Sequence, residues 1–232
     1  MEELNKYLGD SLYTQLLSFS ASIIGLYISL RKSQGIFKWF SLYFFCYSFS
    51  QILFFLGNFF AIQEMKNIVN NISIYSDYVF TLIEFSIFMR FFNLAIEGKI
   101  KFLLMVIEIC FLTVTLYLFL ANFNPNGIFF ISTLEKIFLL ESLLLLIPCI
   151  IYFVQIFNSI KPFPLIQDGF FWVVTGLTFF LISTLPFSYL MNYLRKENSE
   201  IYMYLYSIVY LFYCLLFMMI IRGILCKLPT TK

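Results

Sequence analysis

The sequence contains no histidine. That removes the commonest metal ligand and the commonest general base at neutral pH. Charge is also scarce: Asp, Glu, Lys and Arg make up 12% of the 232 residues, about half the ~25% usual in soluble domains. Glycine and proline, at nine and six, are too few to punctuate a loop-rich fold. The five cysteines (Cys46, Cys110, Cys149, Cys214, Cys226) form no CxxC or other ligand spacing. They read as reduced, small apolar residues, and no metal or other cofactor is expected. The opening stretch Met1 to Asp10 is acidic rather than basic. A secretory signal begins with a basic stretch, so the first apolar segment is expected to stay as a membrane helix.

What the chain has instead is apolar surface. Hydrophobic residues make up 61%, with thirty-two phenylalanines and sixteen tyrosines. A soluble fold of this length cannot hide that much, but a lipid bilayer can serve as its solvent. A helix needs ~20 mostly apolar residues to cross the hydrocarbon. Seven stretches qualify, at roughly 11–30, 39–61, 75–97, 102–121, 131–157, 169–193 and 201–223. Their runs are continuous, not alternating, which selects helices over a membrane barrel. The expected fold is therefore all-α: one transmembrane domain over residues 1–232, a seven-span bundle in the lipid bilayer.

The expected turns are short and polar. They are Arg31 to Lys38, Gln63 to Ile74, Gly98 to Lys101, Asn122 to Gly127, Asn158 to Gln167 and Arg195 to Glu200. None has room for a soluble output domain, so a signalling role would need a separate partner protein. Lys and Arg set the orientation. One alternating set of ends holds Arg31, Lys32, Lys38, Lys99, Lys101, Lys161, Arg222, Lys227 and Lys232. The other holds only Lys6, Lys66, Arg195 and Lys196. This bias predicts an outside N-terminus, an inside C-terminus and residence in the inner (cytoplasmic) membrane as a multi-pass protein. Arg195 and Lys196 run against it.

Charges inside the spans are costly and face the bundle interior in search of partners. Arg90 lies seven residues before Glu97, and Glu108 seven residues after Lys101. Both therefore sit ~10 Å below the same membrane face, and an Arg90–Glu108 ion pair is expected. Asp77, Thr81 and Glu84 follow i, i+4, i+7 spacing and share one face of the third span. Glu141 shares a face of the fifth with Pro148, Tyr152 and Gln155. Pro148 is expected to kink that helix and free a backbone carbonyl; Pro186 is expected to bend the sixth. The expected ligand or proton pocket comprises Glu84, Glu141, Asp77, Thr81 and Tyr152, with Tyr206 and Tyr210 of the tyrosine-lined seventh span. A competing expectation is that each carboxylate is simply satisfied by a hydroxyl of that span. Ser18, Ser22, Gly25 and Ser29 line one face of the first span, where small residues let helices approach closely.

No catalytic constellation is present. Residues 201–221 hold no lysine for a retinal Schiff base. Without histidine there is no membrane metallohydrolase set and no Ser/His dyad. No Gly-x-Gly-Asp and no phosphate-cradling glycine loop occurs, and nothing suggests a nucleic-acid partner. The small seven-helix sugar transporters carry Pro-Gln dipeptides, and this chain has none.

The stretch Tyr78-Val79-Phe80-Thr81-Leu82-Ile83-Glu84-Phe85 resembles the third span of small uncharacterised seven-helix bacterial membrane proteins. Phe171-Trp172-Val173-Val174-Thr175-Gly176, opening a span after a Pro-containing loop, is similar to another part of them. More loosely, the layout is similar to the seven-helix sensing regions of bacterial signalling proteins. The resemblance implies the helix count and, by extension, a sensor or accessory module. Such a module would bind a small or lipidic ligand and act through a separate signalling or enzymatic partner. The alternative is a proton-coupled carrier of small solutes that uses the buried carboxylates. A lipid-modifying enzyme with paired carboxylates as acid and base is a third reading.

Overall fold

A computed structural model describes the backbone of residues 2–59, 63–122, 131–158, 165–197 and 199–226. It contains seven long helices: α1 (Glu2–Lys32), α2 (Trp39–Phe59), α3 (Gln63–Ala95), α4 (Ile100–Asn122), α5 (Ile131–Asn158), α6 (Gly169–Glu197) and α7 (Ser199–Leu225). Short 3-10 turns at Gly35–Lys38 and Leu165–Gln167 lead into α2 and α6. No strand occurs among the described residues. All seven helices carry a stretch long and apolar enough to cross a membrane: Leu12–Lys32, Gly35–Leu56, Tyr75–Ala95, Ile100–Ala121, Lys136–Asn158, Gly169–Phe187 and Ser207–Leu225. The chain is a multi-pass membrane protein of the helical-bundle class.

Two expected turns are largely helix: Gln63 to Ile74, and Arg195 to Glu200, whose described residues close α6 and open α7. Gln63 to Ile74 forms the opening turns of α3. Polarity suggested a loop there, but residues 62–97 contain neither glycine nor proline, so nothing interrupts the backbone hydrogen bonds. The expected turns at Asn122 to Gly127 and at Asn158 to Gln167 lie largely outside the described residues, apart from the 3-10 turn Leu165–Gln167 that closes the second. Helices α5 and α6 continue through Pro148 and Pro186.

The helices close a ring in the order α1, α2, α3, α5, α6, α7, with α7 returning to α1. Helix α4 packs outside the ring, over the seam between α3 and α5. The tightest seams are α1–α7 and α6–α7; the α3–α5 seam has much less contact. Small residues explain the α6–α7 seam. A Cβ on Gly223 would lie 2.8 Å from the Gly169 carbonyl oxygen, and one on Gly176 would overlap Met219. Close approach without side chains is how helices associate where lipid gives no hydrophobic drive. The small stripe of α1 works the same way against α2. Ser22 and Ser48 hydroxyls meet at 2.8 Å, the Tyr47 hydroxyl donates to Ser18 Oγ at 2.9 Å, and a Cβ on Gly25 would collide with the Phe44 ring at 2.5 Å.

The middle of the ring is filled by rings. Tyr43 stacks on Phe80 with centroids 5.6 Å apart, and meets Phe88 and Phe217 edge-on. Tyr47 meets Phe217 at 4.8 Å, and Phe180 meets Tyr213 at 4.5 Å. Offset and edge-to-face pairs are the favoured geometries for aromatic quadrupoles. Outside the ring, Phe111 of α4 lies against Phe85 of α3 at 4.0 Å. The Tyr78 hydroxyl donates to the Thr115 carbonyl at 2.5 Å.

Two glycines with positive φ make the turns at one end of the bundle, Gly35 (+56°) before α2 and Gly98 (+96°) before α4. Left-handed backbone suits glycine, which has no Cβ to clash. That end carries Arg31, Lys32, Lys38, Lys99, Lys101 and Arg222 and is called the basic end below.

A candidate intramembrane carboxyl site

Glu84 lies mid-way along the apolar stretch of α3 and is only 4% exposed. Its Oε1 accepts a hydrogen bond from the Tyr43 hydroxyl of α2 at 3.0 Å. Tyr43 is itself held by five aromatic neighbours: Phe40, Phe44, Phe80, Phe88 and Phe217. The donor is thus fixed in place before it meets the carboxylate. Glu141 of α5 is 5% exposed and within electrostatic reach of Glu84. The two acids are thus buried on neighbouring helices, α3 and α5, within electrostatic reach of one another. Among the described residues neither forms an ion pair, and Glu141 Oε1 is buried without a hydrogen-bond partner.

A buried acceptor without a donor costs of order 1–3 kcal/mol, and more when charged. Two adjacent negative charges in a low dielectric cost more still. The pair is therefore chemically complete only when something supplies a hydrogen to Glu141: a shared proton, a hydroxyl or an ammonium group.

The remaining residues of the expected pocket distribute over several seams. Thr81 is fully buried and returns its hydroxyl to the Asp77 carbonyl at 2.9 Å. The Asp77 carboxylate accepts a hydrogen bond from the Ser50 hydroxyl of α2. Tyr210 is buried and receives a hydrogen bond from Gln15 Nε2 of α1 at 3.0 Å. The side chain of Tyr206 lies outside the described residues. Tyr152 donates to Asp168 at the basic end, at 3.2 Å. The separation from Glu141 is a matter of helix rise: eleven residues at 1.5 Å each place Tyr152 ~16 Å further along α5. Gln155 lies near that end too, bonded in both directions to the Glu97 backbone at 3.2 and 3.0 Å.

The expected Arg90–Glu108 pair is met in part. Arg90 and Glu108 lie within electrostatic reach of one another. The direct ion pair is not formed. The Arg90 guanidinium lies over the Trp39 ring instead, 5.0 Å from its centroid.

Sequence reasoning missed Tyr43, the residue that holds Glu84. A pattern for it exists: Tyr43, Tyr47, Ser50 and Gln51 recur at helical spacing along one face of α2. In a chain with sixteen tyrosines that stripe does not stand out from packing.

Among the described residues no group of three or more Cys, Asp or Glu side chains gathers as a metal site, and all five cysteines are free thiols. No family model, curated protein or solved structure matches this chain.

Proposed function

We propose that this protein is an integral membrane sensor or accessory module. It binds a small or lipidic ligand carrying a hydrogen-bond donor between Glu84 and Glu141, and it acts through a separate partner. The orphaned, buried Oε1 of Glu141 opposite Glu84 carries the reading. A donor placed there removes a desolvation cost that the empty pair bears. The position of the pair supports the second half of the reading. Glu84 and Glu141 stand on opposite sides of the weakly packed α3–α5 seam. A ligand bridging them draws α3 and α5 together, and α4, packed over the same seam, moves with them. A ligand shifts a conformational equilibrium only by its differential affinity for the two states, and a bridged seam supplies such a difference. We place the basic end on the cytoplasmic side of the inner membrane, because its cation excess follows the positive-inside rule.

The test uses full-length protein purified from native membranes in mild detergent, as wild type and as Glu141→Gln. Mass spectrometry identifies the small molecules and proteins that co-purify. The expected result is a small molecule depleted in Glu141→Gln and a stoichiometric protein partner retained in both. Identical small-molecule content in the two preparations overturns the binding site; absence of any partner overturns the accessory role.

The proton-coupled carrier remains the second reading. It is favoured by two buried acids within electrostatic reach of one another. It requires solute flux into liposomes that depends on pH and is lost in Glu141→Gln. Flux equal to that of empty liposomes sinks it.

A further inference from the structure

All three cation–aromatic contacts among the described residues lie at the basic end: Arg31 over Tyr27, Arg90 over Trp39 and Arg222 over Trp172. Both tryptophans of the chain are there. Tryptophan concentrates at the level of lipid headgroups, where its amphipathic ring is partly wet. Of the three arginines, Arg90 differs in depth. Arg31 and Arg222 close the last turns of their helices. Arg90 stands five residues before the end of α3, ~7.5 Å below it, yet its side chain is exposed. One turn further on, Leu94 is also exposed, at 59%. Arg90 is therefore on the outer surface of the bundle, between the start of α2 and α4.

An exposed arginine at that depth needs an anionic partner. Long basic side chains reach from such positions toward the interface. The indole of Trp39 covers one face of the guanidinium but accepts none of its five N–H groups. Glu108 attracts it without closing an ion pair. Lys38, next to Trp39, and Lys101, in the first turn of α4, are both exposed and add positive charge to the rim. Among the described residues nothing satisfies the arginine fork.

We propose that Arg90, with Trp39 behind it and Lys38 and Lys101 at the rim, forms a seat for the headgroup phosphate of an anionic phospholipid. The acyl chains lie down the apolar surface beside Arg90, past Leu94. Guanidinium recognises phosphate through paired N–H···O contacts that an ammonium cannot reproduce. Glu108 is then a built-in competitor: its carboxylate weakens the seat by offering Arg90 a second anion.

The test is native mass spectrometry of the full chain in detergent, titrated with phosphatidylglycerol or with phosphatidylcholine of the same acyl length. The expected result is preferential retention of phosphatidylglycerol. Arg90→Gln is expected to lower that retention about fivefold, the effect of one basic residue near an anionic headgroup, and Arg90→Lys to lower it less. Glu108→Gln is expected to raise retention above wild type, an increase that a misfolded variant does not produce. Equal retention of both lipids overturns the proposal. So does phosphatidylglycerol binding that Arg90→Gln and Glu108→Gln leave unchanged. Competition by millimolar inorganic phosphate as effective as that by the lipid overturns the lipid assignment in favour of a free-anion site.

Discussion

The Tyr43 hydroxyl donates to Glu84 Oε1 at 3.0 Å in the aromatic centre of the bundle. The bond joins α2 to α3 at a level where no water is expected, and the rings around Tyr43 give it one position. A carboxyl group in hydrocarbon is tolerated here because its donor is built in.

Removing the donor should cost more than neutralising the acceptor. Tyr43→Phe keeps the ring contacts and strands Glu84 Oε1, so a loss of about 1–3 kcal/mol is expected. Glu84→Gln keeps an oxygen facing Tyr43 and should cost less. The double variant should be non-additive, because both changes act on one bond. Thermal unfolding of the detergent-solubilised chain reads all three. Additive losses would show that the bond is not what the substitutions disturb.

The α6–α7 contact should be intolerant of bulk. Gly223→Val puts methyl groups where the Gly169 carbonyl and Val173 already sit, and about 1–3 kcal/mol of destabilisation is expected from overpacking. Gly98→Ala is the contrasting case. Its Cβ meets nothing within 4 Å, so only the positive φ is disfavoured, at about 1–2 kcal/mol. The two differ in temperature-dependent yield of folded monomer by size-exclusion chromatography. Gly223→Ala, with a smaller Cβ that still faces the carbonyl, should fall between Gly223→Val and wild type.

Gln155 holds the connection between α3 and α4 through both backbone groups of Glu97. Gln155→Leu removes both bonds. Hydrogen exchange at the Glu97 amide should then accelerate about thirtyfold, given ~1 kcal/mol for each of the two bonds. Exchange at the wild-type rate would mean that the turn is held by other contacts.

Asp168 gives the basic end a pH dependence. It lies just outside the α6 span, where it accepts hydrogen bonds from the Phe170 amide at 2.9 Å and the Tyr152 hydroxyl at 3.2 Å. Burial raises its carboxyl above the ordinary aspartate range, and those hydrogen bonds only partly offset the shift. The folded state therefore binds a proton more readily than the unfolded chain does. The stability this contributes is full below the unfolded value and lost as pH rises through the folded one. Thermal midpoints taken between about pH 4 and pH 7 should show a downward component with rising pH that Asp168→Asn flattens. An unchanged slope in that variant would assign the dependence to other groups.

Much of this was legible in the residues. Seven long apolar runs require seven helices, because a backbone in hydrocarbon must satisfy itself within each segment. The close approach at Ser18, Ser22 and Gly25 followed from small side chains at helical spacing. The depth of Arg90 and Glu108 followed from counting residues at a fixed rise. The start of α3 was misread because polarity marks where lipid ends, whereas helices end where hydrogen bonding is interrupted.

Rise and periodicity are local, so they give a residue's depth and its face. They do not say which neighbour that face meets. The candidate pocket therefore came apart along that line. Glu84 and Glu141 lie within electrostatic reach of one another, but Tyr152 pairs with Asp168 and Tyr210 with Gln15. The donor to Glu84 comes from α2 rather than from the tyrosine stripe of α7. Arg90 turned to the Trp39 ring beside it rather than closing on Glu108. Composition and spacing made this chain a seven-span membrane bundle with acids inside it. The order of helices around the ring chose each acid's partner, because side chains meet across seams that are set by packing of the whole bundle.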